Sequence, residues 1–133
     1  MTARQSTYEI MHHLEQRGIS LPFDDVNTLR RAQITLHRWA EQECGDGDNY
    51  KSWAIERDET TGKPYMVIYP HDGKTHQYRI PDREAGALKR ITEICKRNGL
   101  HFYHQGDPRG CSLYVDSKPI EDNAYNNAVA VAA

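Results

Sequence analysis

The apolar residues of this 133-residue chain change their spacing at Cys44. Before Cys44 they recur every three or four residues, which is the period of a helix with one buried face. Members of that stripe are Val26, Leu29, Leu36 and Ala40. After Cys44, short runs alternate apolar and polar side chains or are apolar throughout, as β-strands are. Two periods in separate segments predict an α+β fold, with helices packed on one face of a sheet.

Two helices are predicted in the first third of the chain. Ser6 and Glu9 have the spacing of a capping box, and Gly18 ends this short first helix. The second helix is expected to be the longest element. The pair Asp24-Asp25 before its apolar stripe predicts an N-cap and an acidic first turn, which the helix dipole favours.

Three short strand-like runs follow and make a meander, at 53–56, 65–69 and 76–80. The pair Asp72-Gly73 between the second and third runs is typical of a two-residue hairpin turn. Because the second run is apolar on both faces, we expect it to lie centrally in the sheet, with helices covering at least one side.

A third helix and two more strands complete the predicted order. The helix begins after Pro81 and ends at Asn98. Strands at 100–104 and 112–115 flank a turn over 106–110. The predicted order is ααβββαββ, a five-stranded and mainly antiparallel sheet with the second and third helices on one face and the first beside them.

The chain length is typical of one domain. We expect a single α+β domain over residues 1–117. The polar run Glu121-Asp122-Asn123 and the small residues after it predict a flexible tail over 118–133, in which an edge strand near 128–131 is an open alternative.

The composition limits the classes of partner and the cellular compartment that we expect. With 17 Lys+Arg against 19 Asp+Glu, a formal net charge of -2 gives no molecule-wide basic field for nucleic acid or membrane. No apolar run is long enough to span a bilayer, and the first residues lack the apolar segment of a secretory signal. Cys44, Cys95 and Cys111 are odd in number and widely spaced, so we expect free thiols in the cytoplasm.

Four segments follow one another within residues 26–116: LHRWAEQECGDGDN, IERDETTGKPYMV, IPDREAGALKRI and QGDPRGCSLYV. Through these segments the chain resembles a family of small proteins encoded by phages and bacterial prophages. The resemblance implies a setting, the cytoplasm of a bacterial host, and carries no established activity with it.

Metal binding is not expected. The loop with Asp46 and Asp48 is similar to the opening of a calcium loop, but Arg57 then occupies the position that requires an acidic ligand. For zinc, His101 and His104 have a short spacing, but strand alternation sends them to opposite faces. His12 and His13 are adjacent on a helix and diverge as well. We therefore predict neither a metal nor another cofactor.

Catalysis is not expected either. Cys111 and His104 are the one nucleophile–base pair that a hairpin brings close, yet Cys111 also suits an inward strand position, where cysteine packs as a small hydrophobe. No other pattern of an active site is present, so we predict no catalytic residue and no enzyme.

Partner contacts are predicted at two loops. Asp107 and Pro108 are what a tight turn requires, whereas Arg109 is not, so we expect Arg109 to contact a carboxylate or phosphate of a partner. Asp107 beside it, and Asp46 and Asp48 in the earlier loop, are the further partner-binding candidates.

The outer face of the third helix is basic and offers an alternative site for nucleic acid. Tyr78, Tyr103 and Tyr114 in neighbouring strands would support stacking of bases. The cations of this face are Arg83, Lys89, Arg90, Lys96 and Arg97.

The sequence therefore predicts a non-enzymatic accessory protein that binds a host or phage macromolecule. A host or phage protein is the expected partner, and interference with host defence is one form of that role. One alternative is a nucleic-acid-binding accessory protein that uses the third helix. Another is a small enzyme or nucleotide-binding module around Arg109. A homodimer is a further open alternative, and a membrane partner is not expected.

Overall fold

The computed structural model describes residues 6–45, 50–108 and 110–118, with the side chains of 110–112 left out of the description. Within these ranges the order of elements is ααβββαββ, which confirms the prediction. The helices are α1 (Thr7–Gln16), α2 (Phe23–Cys44) and α3 (Asp82–Arg97). The strands are β1 (Tyr50–Arg57), β2 (Pro64–Pro70), β3 (His76–Arg79), β4 (His101–Asp107) and β5 (Gly110–Asp116). The predicted tail beyond Lys118, including 128–131, lies outside the described residues.

The helix ends follow local capping chemistry with one correction. Ser6 caps α1 as predicted, because its hydroxyl oxygen accepts the Glu9 backbone N–H at 3.1 Å. Asp24 and Asp25 do not cap α2. Pro22 already accepts the first helical hydrogen bond, from the Val26 N–H at 3.1 Å, so both aspartates lie inside the first turn.

The strand order in the sheet is β3-β2-β1-β4-β5, and all neighbours are antiparallel. The prediction that the 65–69 run is central was wrong by one place: β2 is an inner strand, and β1 is the central one. The reason is that the last hairpin returns to the free edge of β1 and pairs Ala54 with Gln105.

The core lies between the sheet and the α2–α3 layer. Trp53, Met66 and Ile68 point into it from the strands. Helix α3 runs antiparallel to α2, since Arg97 near its C-terminus pairs with Asp25 in the first turn of α2 at 3.1 Å. The helical side chains of the core include Val26, Leu29, Leu36, Ala40, Leu88 and Ile91. None of the three described helices is both long and apolar enough to cross a membrane.

The β2–β3 connection is longer than the predicted two-residue turn. The ladder between these strands ends at Ile68 and His76, and residues 71–75 form the loop. The Asp72 carboxylate accepts the Lys74 N–H at 3.0 Å, and the Gly73 N–H donates to the Pro70 carbonyl at 3.4 Å, so local hydrogen bonds hold this loop.

The β4–β5 turn is shorter than predicted. Gly106 belongs to β4 and is paired with Cys111, and the chain reverses between Asp107 and Gly110. Gly106 is therefore a strand glycine, which marks a close approach of another group to the backbone.

Candidate functional site

The side of the sheet away from α2 and α3 carries polar and aromatic side chains, and we call it the open face. Residues opposite one another on antiparallel strands share a face. Tyr65 is opposite Glu56 on one side and Arg79 on the other, so these three side chains form a row. Tyr103 continues the row, since its hydroxyl donates to Glu56 Oε1, and Tyr114 is the partner of Tyr103 on β5.

A groove of about 920 Å³ lies over the open face and is open to solvent. Ala54 of the central strand is paired with Val67 on one side and with Gln105 on the other, and it is buried. The groove is lined mainly by hydroxyl, amide and phenol groups, among them Ser52, Tyr65, Tyr69, Gln77, Tyr103 and Gln105. Such walls offer hydrogen bonds and aromatic contact to an extended ligand.

One end of the groove is acidic. Of the described residues, Glu56, Asp58 and Glu59 line it together with one cation, Arg57. The guanidinium of Arg57 donates to the Gly62 carbonyl at 3.1 Å and to the Thr92 hydroxyl at 3.2 Å. The side chain of Arg57 is thus held by the connection between β1 and β2 and by α3.

The Asp58 carboxylate is fixed by the turn that follows β1. The backbone N–H groups of Thr61 and Thr60 each donate to Asp58 Oδ1 at 2.9 Å, and they lower the pKa of this carboxyl. A carboxylate held this way keeps its negative charge at neutral pH and keeps the acidic end of the groove in place.

The partner residues predicted from the sequence fall partly on this surface. Asp107 is the last residue of β4 and is paired with Gly110, at the point where the chain reverses. Arg109, Asp46 and Asp48 lie outside the described residues. The two loops predicted for partner contact therefore stay predictions, with Asp107 as the position that the structure describes.

The basic residues of α3 lie on the opposite side of the molecule from the open face. Lys89, Arg90 and Lys96 are exposed there. Arg97 is paired with Asp25, and Arg83 Nε lies 3.9 Å from Glu84 Oε1 on the same helix. Of the tyrosines in the nucleic-acid alternative, Tyr103 and Tyr114 are paired on the open face, away from these cations. Tyr78 is opposite Met66 and packs against the core on the helix side of the sheet.

The thiols that the structure describes are free and unreactive. Burial, with Glu43 and Glu41 nearby, raises the pKa of Cys44 to about 12. Burial raises the pKa of Cys95 to about 11. Both therefore stay protonated at neutral pH, and a thiol rather than a thiolate is a poor nucleophile.

The register does not bring Cys111 opposite His104. Cys111 is paired with Gly106, and His104 with Leu113. The side chain of Cys111 is outside the described part of the structure. His101 and His104 differ as strand alternation predicts: the former is exposed and the latter is buried.

His104 lies on β4 and is buried near Trp53 and His37, on the side of the sheet that faces the helices. Its ring meets the Trp53 indole edge-on, with centroids 5.0 Å apart. Burial, with a smaller contribution from nearby His37, lowers the pKa of His104 to about 3. His37 contacts Glu41 one helical turn later. Because His37 and His104 are 0% and 1% exposed, neither can meet a ligand from solvent.

Among the described residues, no group of three or more His, Cys, Asp or Glu side chains is arranged to hold a metal ion. Comparisons with models of protein families, with curated proteins and with solved structures gave no match.

The open face itself was missed from the sequence. Its signal is the alternation of Tyr65, Val67 and Tyr69 with the core residues Met66 and Ile68. We interpreted this run as apolar on both faces, whereas one face carries phenol groups whose hydroxyls suit a solvated binding surface.

Proposed function

We propose that this protein is a non-enzymatic binding protein whose open face docks an extended segment of a host or phage protein. The observation that carries this proposal is the groove of about 920 Å³ on a sheet face whose other side is packed against two helices. A sheet held rigid from behind presents its side chains in fixed rows, which lowers the ordering cost of binding.

The chemistry of the groove favours a polypeptide over a nucleic acid. Glu56, Asp58 and Glu59 place carboxylates where a backbone phosphate would have to approach, and like charges repel. The tyrosines would suit stacked bases, but single-strand binding also requires a cationic groove. Phenol and amide groups in alternating rows match the side chains and peptide groups of an extended segment.

Site-specific photo-crosslinking in bacterial cells tests the proposal. Benzoylphenylalanine replaces Gln77, which is exposed on the open face, and in a second variant it replaces Lys89, which is exposed on α3. We expect a discrete protein adduct from position 77 and none from position 89. Adducts from position 89 alone, or a nucleic-acid adduct at position 89, would show that the binding surface is on α3 and not on the open face. The absence of any adduct at position 77 would contradict the proposal.

A further inference from the structure

We propose that the row Tyr65–Glu56–Tyr103 is a receptor for an arginine side chain of the docked protein. This inference rests on the proposed function and names the chemistry of the partner at one position. The three residues lie on adjacent strands β2, β1 and β4 of the open face.

The geometry places a carboxylate between two phenol rings. Glu56 is directly opposite Tyr65 in the β1–β2 register. On its other side, the Tyr103 hydroxyl donates a hydrogen bond to Glu56 Oε1. Neighbouring strands are spaced by roughly 5 Å, so both rings are within reach of a group bound at the carboxylate.

The charge of Glu56 has no basic partner within the protein as described. No lysine or arginine of the described ranges lies within ion-pair distance of this carboxylate. Arg57 next to it donates to Gly62 and Thr92 instead. Arg79 is on the far side of Tyr65, two strand spacings or roughly 10 Å away.

Guanidinium is the cation that uses all three groups. It is planar, so it stacks on phenol rings, and its N–H groups form a fork that matches a carboxylate. Tyr103 occupies Oε1 of Glu56, and the second oxygen, Oε2, can accept from the guanidinium. A lysine ammonium gains the charge contact but cannot stack as a plane.

The C-terminal residues of the chain itself do not fit this receptor. Residues 119–133 contain Glu121 and Asp122 and no lysine or arginine, so they offer no complementary charge. The segment 119–133 is thus excluded as the occupant on its charge, and the occupant that we assign is a separate, arginine-bearing chain.

The test is a titration of the full-length protein, followed through its backbone amide NMR signals, with a short blocked peptide that has one central arginine among serines and threonines. The same peptide with citrulline at the centre, which keeps the shape and removes the charge, is the matched ligand. We expect arginine to bind at least about tenfold more tightly than citrulline, with shifts centred on β1, β2 and β4. A third peptide, with lysine at the centre, should bind with an affinity between those of the arginine and citrulline peptides.

Glu56→Gln is the decisive variant, because the glutamine side-chain oxygen can still accept the Tyr103 hydrogen bond and we expect the fold to be retained. It should remove the preference for arginine over citrulline, whereas Glu59→Gln, a rim carboxylate on the following turn, should change it by less than about twofold. Unchanged amide spectra of both free variants serve as the folding control.

The outcomes separate this inference from the proposed function. Equal binding of arginine and citrulline peptides, or no binding of either, overturns the arginine receptor. If Gln77 still gives the protein adduct, docking on the open face stands without it. If the adduct at Gln77 is also absent, both proposals fail. Equal losses in Glu56→Gln and Glu59→Gln would show general attraction to acid rather than a receptor.

Discussion

The Trp53 indole lies so close to Gly106, its cross-strand partner, that no side chain fits between them. A Cβ placed on Gly106 would be 2.5 Å from the indole Cε2 and Nε1. Trp53 is fully buried and cannot turn away. The contact joins β1 to β4, so it fixes the place where the C-terminal hairpin attaches to the meander.

We therefore expect Gly106→Ala to destabilise the protein by about 1–3 kcal/mol, the usual cost of overpacking a filled core. Gly86→Ala is the matched control. A Cβ there meets only Arg90 Nη1, at 3.9 Å, and alanine in a helix should stabilise by about 0.5–1 kcal/mol. Urea unfolding followed by tryptophan fluorescence measures both. A Gly106→Ala protein as stable as the wild type would mean that the indole has room to move.

Because His104 is buried, we expect the free energy of unfolding to decrease in mild acid. Its pKa is about 3 in the folded protein against 6.5 in the unfolded chain. Between these values the unfolded chain binds a proton that the folded protein does not, so the free energy of unfolding decreases as the pH falls. The loss is about 1.4 kcal/mol per pH unit, or roughly 2 kcal/mol between pH 6.5 and 5.

His104→Phe should flatten this slope, and His101→Gln, which removes an exposed ring on the same strand, should keep it. Urea unfolding at half-unit steps from pH 7 to 5 gives the slopes. This range lies above the titration of Asp58, whose lowered pKa adds a separate loss in stronger acid. Equal slopes for wild type and His104→Phe would contradict the assignment.

Trp39 is expected to act in the core and not as a binding residue. Its side chain is 8% exposed and belongs to the main hydrophobic cluster. Trp39→Ala should cost about 3–5 kcal/mol, because it removes a large buried ring and leaves a cavity. Tyr8→Ala, in a side chain that is 74% exposed, is the control and should change stability by less than about 0.5 kcal/mol. A thermal midpoint unaffected by Trp39→Ala would refute this role.

The basic face of α3 should not bind nucleic acid at physiological salt. Arg97 is paired with Asp25, and the acidic residues Asp82 and Glu93 lie on the same helix. Replacing Arg90 and Arg97 with alanine should change the free energy of unfolding by less than about 1 kcal/mol, since both arginine side chains are exposed. Gel-shift assays with single- and double-stranded DNA test the binding. A shift at physiological salt that the double variant weakens would support the nucleic-acid alternative.

The helices and strands could be predicted because each has a local spacing of apolar residues that places them on one buried face. The stripe from Val26 to Ala40 and the cap at Ser6 depend on residues a few positions apart. The strand order and the open face were not predictable in that way. Tyr103 and Glu56, for example, meet across 47 residues of chain, and no local period encodes which strand the last hairpin joins.

That late attachment of β4 has a consequence during synthesis. When Arg79 has left the ribosome, the meander β3-β2-β1 is complete, but one edge of β1 has no neighbour until His101–Asp107 follow. An unpaired edge with buried-type side chains on one face is a template for pairing with other chains. The nascent protein is thus most open to aggregation while α3 is being translated, and a slow stretch of codons there would prolong that interval.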